Sequence, residues 1–120
     1  MQKPLLSAIK KLQNLVVEAL EEVMAQNVVI IDVRGKTTIT DVIIVATGTS
    51  NRQVRASARH ILDKAATKKI GVLGVEGEFA GEWVLIDLAD VVVHVMLPAT
   101  REFYQLEKLW KVDLAAASAA

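Results

Sequence analysis

The 120-residue chain has no cysteine, only two prolines and few aromatic residues (4%). Without cysteine it can form no disulfide framework, no thiolate metal site and no thiol nucleophile. No apolar run reaches the roughly 18 residues that a transmembrane helix requires. Lysine and glutamate residues also interrupt the N-terminal segment that a signal peptide would occupy. These absences predict a cytoplasmic protein with no membrane association.

Acidic and basic residues are balanced, with 14 of each, so the net charge is zero. Stable binding to nucleic acid depends largely on phosphate neutralisation and usually requires a basic excess. The balance therefore predicts docking on protein surfaces, with little direct RNA contact. Apolar residues make up 52% of the chain, which indicates one globular domain with one core. We place this domain at residues 1–112 and expect a disordered tail at 113–120.

The spacing of apolar residues predicts eight elements in the order α-β-β-α-β-β-β-α. Apolar positions three or four apart indicate a first helix over about residues 5–23, and Ser50 with Gln53 matches a capping box that starts the second helix. Thr100 can cap a short last helix whose Phe103, Leu106 and Trp110 point inward. The strands are short apolar runs bounded by turn residues: 28–33, 41–46, 71–75, 83–88 and 91–97. This order predicts an α+β (mixed α/β) domain.

The loop 47–50 (Thr-Gly-Thr-Ser) joins the second strand to the second helix in the manner of a phosphate cradle. Backbone N–H groups and the positive end of a helix converge at such a loop. The simpler interpretation is a turn in which Gly48 adopts an unusual backbone angle and Ser50 caps the helix. Three arginines of the second helix form one stripe, which is more often a solvated face than a phosphate clamp: Arg52, Arg55 and Arg59.

Nucleotidyl transfer would need closely spaced carboxylates that hold a divalent metal against the phosphates. The acidic residues downstream of the loop are better explained as solvated or turn residues: Asp63, Glu76, Glu78, Asp87 and Asp90. The two histidines, His60 on a helix surface and His94 within a strand, lack the partners of a metal or catalytic site. We therefore expect no enzyme activity, no metal and no cofactor. The alternative is a nucleotide-binding module or nucleotidyltransferase that uses the loop 47–50.

The last two strands form a predicted hairpin with a turn between them. Strand alternation places Trp83 and Leu85 on one face of the hairpin, together with His94 and Met96. The opposite face is also apolar. Helices could cover both faces, or they could cover one and leave a surface whose tryptophan, methionine and histidine are typical of interface anchors.

Seven segments occur in a characteristic order: 32–35 (DVRG), 40–41 (TD), 46–54 (ATGTSNRQV), 75–77 (VEG), 82–83 (EW), 90–94 (DVVVH) and 101–110 (REFYQLEKLW). Between about Leu15 and Trp110 the chain resembles the ribosomal silencing factor family, which is also called the Iojap-related family. One departure is Ala89, where the family usually has a glycine before the aspartate.

The resemblance implies a nucleotidyltransferase-like fold with a mixed five-stranded sheet and without transferase activity. It implies a homodimer in isolation and binding to the large ribosomal subunit through universal large-subunit protein fourteen. Such binding would block joining of the small subunit and repress translation, with no cofactor. By position, Trp83 would be the interface anchor, and alternation extends the predicted partner-binding set to Leu85, His94 and Met96. A plain dimerisation domain is a third interpretation.

Overall fold

A computed structural model describes residues 2–105, without the side chains of residues 2–6 and 103. Within that range the elements are α1 (Gln2–Glu22), β1 (Gln26–Asp32), β2 (Val42–Thr47), α2 (Asn51–Thr67), β3 (Gly74–Glu76), β4 (Trp83–Asp87), β5 (Val91–Met96) and α3 (Pro98–Tyr104). The predicted order and type of the elements are confirmed. The third strand begins three residues later than predicted, and the first helix begins about three residues earlier. None of the helices in this range is long and apolar enough to cross a membrane.

The described strands form one mixed five-stranded sheet in the order β1-β2-β5-β4-β3. Strands β2 and β5 run parallel at the centre, and the other neighbouring strands pair antiparallel. Every residue of both central strands is buried. This explains why their sequences are nearly continuous apolar runs, since both faces of a central strand are covered. The α+β class and the mixed sheet are therefore confirmed.

The sheet separates two apolar clusters. The larger one lies between the sheet and helices α1 and α2, and it includes Leu20, Ile44, Ile61, Ile86 and Val93. The smaller one lies on the opposite face and includes Ile31, Val33, Ile43, Val45 and Met96, with Trp83 packed against it. Adjacent residues of one strand therefore belong to different clusters, as the period of two in a strand requires.

Both predicted helix caps can be compared with the structure. The Ser50 side chain accepts a hydrogen bond from the Gln53 backbone N–H at 3.1 Å, which confirms the first cap. The reciprocal half of the predicted capping box differs, because Oε1 of Gln53 accepts from the Thr49 backbone N–H at 2.6 Å instead of from that of Ser50. The second prediction is wrong, because α3 begins at Pro98 and Thr100 lies inside it. Proline suits the first helical position, where a backbone N–H would have no partner.

Parts of the predicted C-terminal region lie outside the described residues. They are Leu106, Trp110, the domain end at residue 112 and the tail 113–120.

Candidate protein-binding face

Strands β4 and β5 bring the four residues proposed from the sequence onto one face of the sheet. Trp83 is directly opposite Met96, and Leu85 is directly opposite His94. The intervening residues Val84 and Ile86 are fully buried in the larger cluster on the other face. We refer to Trp83, Leu85, His94 and Met96 as the Trp83 face.

The four residues differ in accessibility. Trp83 and Leu85 are partly exposed, in alternation with buried neighbours along β4. His94 is 8% exposed and Met96 is fully buried. A partner can therefore reach Trp83 and Leu85 directly, while His94 and Met96 form the support beneath them.

The Trp83 indole is held by two neighbouring rings. Its Nε1–H group donates a hydrogen bond to Nδ1 of His94 at 2.9 Å. The two ring centroids lie 5.9 Å apart with the planes inclined at 46°. On helix α3, the Tyr104 ring has its centroid 4.6 Å from that of Trp83. Tilted pairs at these separations are favourable aromatic contacts.

The His94 imidazole is neutral at physiological pH. Burial lowers its pKa from 6.5 to about 4, because the charged form would lose its hydration. Since Nδ1 accepts the hydrogen bond from Trp83, the remaining ring proton is on Nε2. The face is thus apolar and uncharged where the tryptophan meets the sheet.

Helix α3 is tied to the sheet by Arg101. Its Nη1 donates to the carbonyl oxygen of Asn27 at 2.6 Å and to Oγ1 of Thr47 at 2.8 Å. These bonds fix the helix that carries Tyr104 beside Trp83. Sequence reasoning missed both Arg101 and Tyr104 as parts of the site, although both lie within the last segment of the family resemblance. The available signal was their spacing of three residues, which places both side chains on the same face of a helix.

A model of the family described as ribosomal silencing factor during starvation matches residues 6–119. The chain belongs to the ribosomal silencing factor family. A ribosomal silencing factor of Chromobacterium violaceum is 44% identical over 102 residues, which cover 85% of this chain and 84% of that protein. A crystal structure of a C. violaceum protein has a TM-score of 0.84 at 44% identity, covering 86% of each chain. The mouse protein named mitochondrial assembly of ribosomal large subunit protein 1 is 32% identical over 100 residues, 44% of its length.

Family membership confirms the resemblance drawn from the sequence motifs. It makes the chain a ribosome-associated translation regulator, in a family that is not a known enzyme family. The similarity spans the sheet and the helices that carry the Trp83 face, since the matched region includes all of β1 to α3.

The loop 47–50 is shaped by its own hydrogen bonds. The Gly48 backbone N–H donates to the Met96 carbonyl at 3.0 Å, and the Thr49 N–H donates to the Gln53 side chain at 2.6 Å. The interpretation that Gly48 adopts an unusual backbone angle is wrong, because its φ does not lie in the positive region. Glycine is needed for close approach instead: a Cβ atom there would lie 2.7 Å from Cγ2 of Val54.

The arginine stripe of α2 is exposed, as predicted, and it also anchors a neighbouring loop. Arg55 donates to the carbonyl oxygen of Phe79 at 3.4 Å, and Arg59 pairs with Glu78 at 2.8 Å. The Phe79 side chain is 98% exposed at the tip of this loop. The loop is hydrogen-bonded to α2, and α2 packs against the opposite side of the sheet from the Trp83 face, so Phe79 offers a matched control residue.

The remaining candidates for chemistry have structural partners. His60 is partly exposed on α2 and contacts Oε1 of Glu22 at 2.7 Å, and this hydrogen bond, followed by that from Lys64, lowers the pKa of Glu22. Asp87 accepts a hydrogen bond from the Ala89 N–H at 2.9 Å, which confirms its role as a turn residue. Among residues 2–105, no group of three histidine or acidic residues is arranged to hold a metal ion.

Proposed function

We propose that this chain represses translation by binding the large ribosomal subunit and sterically blocking its joining with the small subunit. The contact is made with universal large-subunit protein fourteen through the Trp83 face. The observation that carries the proposal is the partly exposed Trp83, held in place over the smaller apolar cluster. Tryptophan is one of the three residue types most enriched at interface hot spots. The mouse relative is named for assembly of the ribosomal large subunit, which agrees with this partner.

The chemistry of the face favours a protein partner over RNA. Trp83 and Leu85 are apolar, and the imidazole beneath them is neutral because of its low pKa. An RNA-binding surface would need cations aimed at phosphates. The net charge of zero supports the same conclusion, so we propose little direct RNA contact.

Several further properties belong to the same proposal. The chain is cytoplasmic, forms a homodimer when free and acts without turnover or cofactor on a nucleotidyltransferase-like scaffold. The hydrogen bonds within the loop 47–50 support a role in binding protein and not nucleotide. Two backbone N–H groups that a phosphate would use already donate to other groups of the protein. A thermal-shift scan with ATP, GTP and Mg²⁺ tests this point. A ligand at about 100 times its dissociation constant would raise the unfolding free energy by about 2.7 kcal/mol.

The central test compares Trp83→Ala with Phe79→Ala in sucrose-gradient co-sedimentation with separated ribosomal subunits. Loss of an anchor costs about 2 kcal/mol or more, so Trp83→Ala is expected to weaken binding to large subunits about thirtyfold. Phe79→Ala removes an aromatic ring of greater exposure from another surface and is expected to bind like the unmodified chain.

A subunit-joining assay then measures the consequence. The unmodified chain and Phe79→Ala are expected to reduce formation of joined ribosomes, whereas Trp83→Ala is expected to require far higher concentration. Equal binding by the two variants would remove Trp83 from the interface. Binding without any effect on joining would refute the steric mechanism.

A further inference from the structure

We propose that His94 is a positioning residue that orients the Trp83 indole for the ribosomal partner and does not itself contact that partner. The inference rests on the proposed function of the Trp83 face. It assigns different roles to two residues that strand alternation alone places in one partner-binding set.

The geometry separates the two roles. His94 is on β5 and is 8% exposed, whereas Trp83 is on β4 and is partly exposed. In the β4–β5 register, His94 is opposite Leu85, so Trp83 is its diagonal neighbour. A long aromatic side chain can span that diagonal. The indole therefore reaches over the histidine, and its N–H group points down into the sheet to Nδ1 at 2.9 Å.

The hydrogen bond depends on the protonation state of the imidazole. Nδ1 can accept only when it carries no proton, and the neutral form meets that condition with its proton on Nε2. Burial keeps the His94 pKa near 4, so the acceptor is available throughout the physiological range. In a positively charged imidazole Nδ1 also carries a proton, so it could no longer accept from the indole N–H and the hydrogen bond would be lost.

Orientation of the indole has a measurable effect on binding. A tryptophan rotates about two side-chain bonds, and a partner that bound a mobile indole would have to immobilise it. In this structure the His94 hydrogen bond and the Tyr104 contact fix the ring before binding. Loss of the hydrogen bond alone is expected to weaken association about three- to tenfold, the usual range for ordering one such side chain.

Two substitutions separate the hydrogen bond from the rest of the imidazole. In His94→Asn the side-chain oxygen lies close to the position of Nδ1 and can accept from the indole. In His94→Leu the volume is retained without an acceptor. His94→Leu is expected to bind purified large subunits about three- to tenfold more weakly than the unmodified chain. His94→Asn is expected to recover most of that loss.

The indole N–H group gives a readout that a purely structural role would not change. In ¹⁵N–¹H spectra the chain has two indole signals, from Trp83 and Trp110, and Trp83→Phe identifies which is which. The Trp83 signal is expected to exchange slowly with solvent in the unmodified chain and in His94→Asn, and faster in His94→Leu. Fast exchange in the unmodified chain would overturn the inference even if neither variant folded.

The outcomes also distinguish this inference from the proposed function. If Trp83→Ala binds large subunits normally, the interface itself is wrongly placed. If Trp83→Ala weakens binding while both His94 variants bind normally, the interface stands and the positioning role is refuted. Equal weakening by His94→Asn and His94→Leu would show that the partner requires the imidazole itself, which also refutes the positioning role.

Discussion

The β4–β5 turn contains a backbone conformation that its residue does not favour. Ala89 has φ 72°, in the left-handed region where a Cβ atom crowds the backbone. The Asp90 N–H donates to the carbonyl of Leu88 at 3.0 Å across this residue, and the Leu88 N–H donates to the carbonyl of Val91 at 2.9 Å. The first bond closes a three-residue turn. With positive φ at its central residue, this is the rare and strained form of such a turn for any residue but glycine.

Ala89→Gly is therefore expected to stabilise the fold. The left-handed conformation costs a residue with a Cβ atom about 1–2 kcal/mol. Glycine gives back about 0.4–1 kcal/mol because the unfolded chain gains conformational freedom. The expected net gain is about 0.5–1 kcal/mol, which corresponds to about 2–5 °C in Tm for a domain of this size. Since Ala89 is exposed, no packing change opposes the gain.

Urea denaturation monitored by circular dichroism measures the free energy of unfolding. Ala56→Gly provides the matched control, because Ala56 is an exposed residue inside α2 where the same substitution costs about 1 kcal/mol. The two variants should therefore shift the unfolding midpoint in opposite directions. If Ala89→Gly is destabilising by as much as Ala56→Gly, the strain assigned to the turn is absent and the reasoning fails.

Ser57→Ala is expected to raise the free energy of unfolding by about 1 kcal/mol, because the buried Ser57 hydroxyl has no hydrogen-bond partner in the described structure and alanine is the better helix former. Urea denaturation tests this, and a loss of stability would reveal a bond to the hydroxyl. Acidification from pH 6.5 to pH 4 is expected to lower the free energy of unfolding of the unmodified chain relative to that of His94→Leu. The expected difference at pH 4 is on the order of 3 kcal/mol. The unfolded chain takes up the proton first because burial lowers the folded-state His94 pKa to about 4, and parallel stability profiles of the two proteins would exclude this linkage.

The sequence was sufficient to predict the elements because their signals are local. A helical period of three to four residues and short β-branched runs mark buried faces, and in this chain those faces pack as the periods require. The Ser50 cap was also predictable, since it depends on residues three apart. The same reasoning placed the last cap at Thr100 and failed, because Pro98 starts α3 without a capping side chain.

Contacts that depend on the packing of side chains and loops could not be read from the sequence. The need for glycine at position 48 comes from the approach of Val54 to the loop, and the sequence offers only a glycine before a helix, which is equally consistent with positive φ. Arg101 bonds to the backbone of Asn27, which is 74 residues away in the chain. The spacing of apolar residues along the sequence does not predict a contact between residues so far apart.

The candidate face was only partly predictable, because some of its features follow from strand alternation and others depend on packing. Alternation places Trp83 and His94 on one face, and the structure brings them together there. Alternation does not distinguish an exposed residue from a buried one, so the burial of Met96 and His94 required the structure. Nor does it predict a hydrogen bond along a diagonal, which depends on the rotation of both side chains.

The position of Trp83 links the binding surface to the most stable part of the fold. Its hydrogen-bond acceptor is on β5, which pairs with β2 on one side and β4 on the other, and whose residues are all buried. Local opening is least frequent in such central strands and most frequent in loops. An anchor carried by a loop, such as the exposed Phe79, would have to be ordered when the partner binds. Because the acceptor of its hydrogen bond lies in the central strand, the indole is oriented by a part of the domain that opens rarely, and the partner meets a surface that is already in its binding conformation.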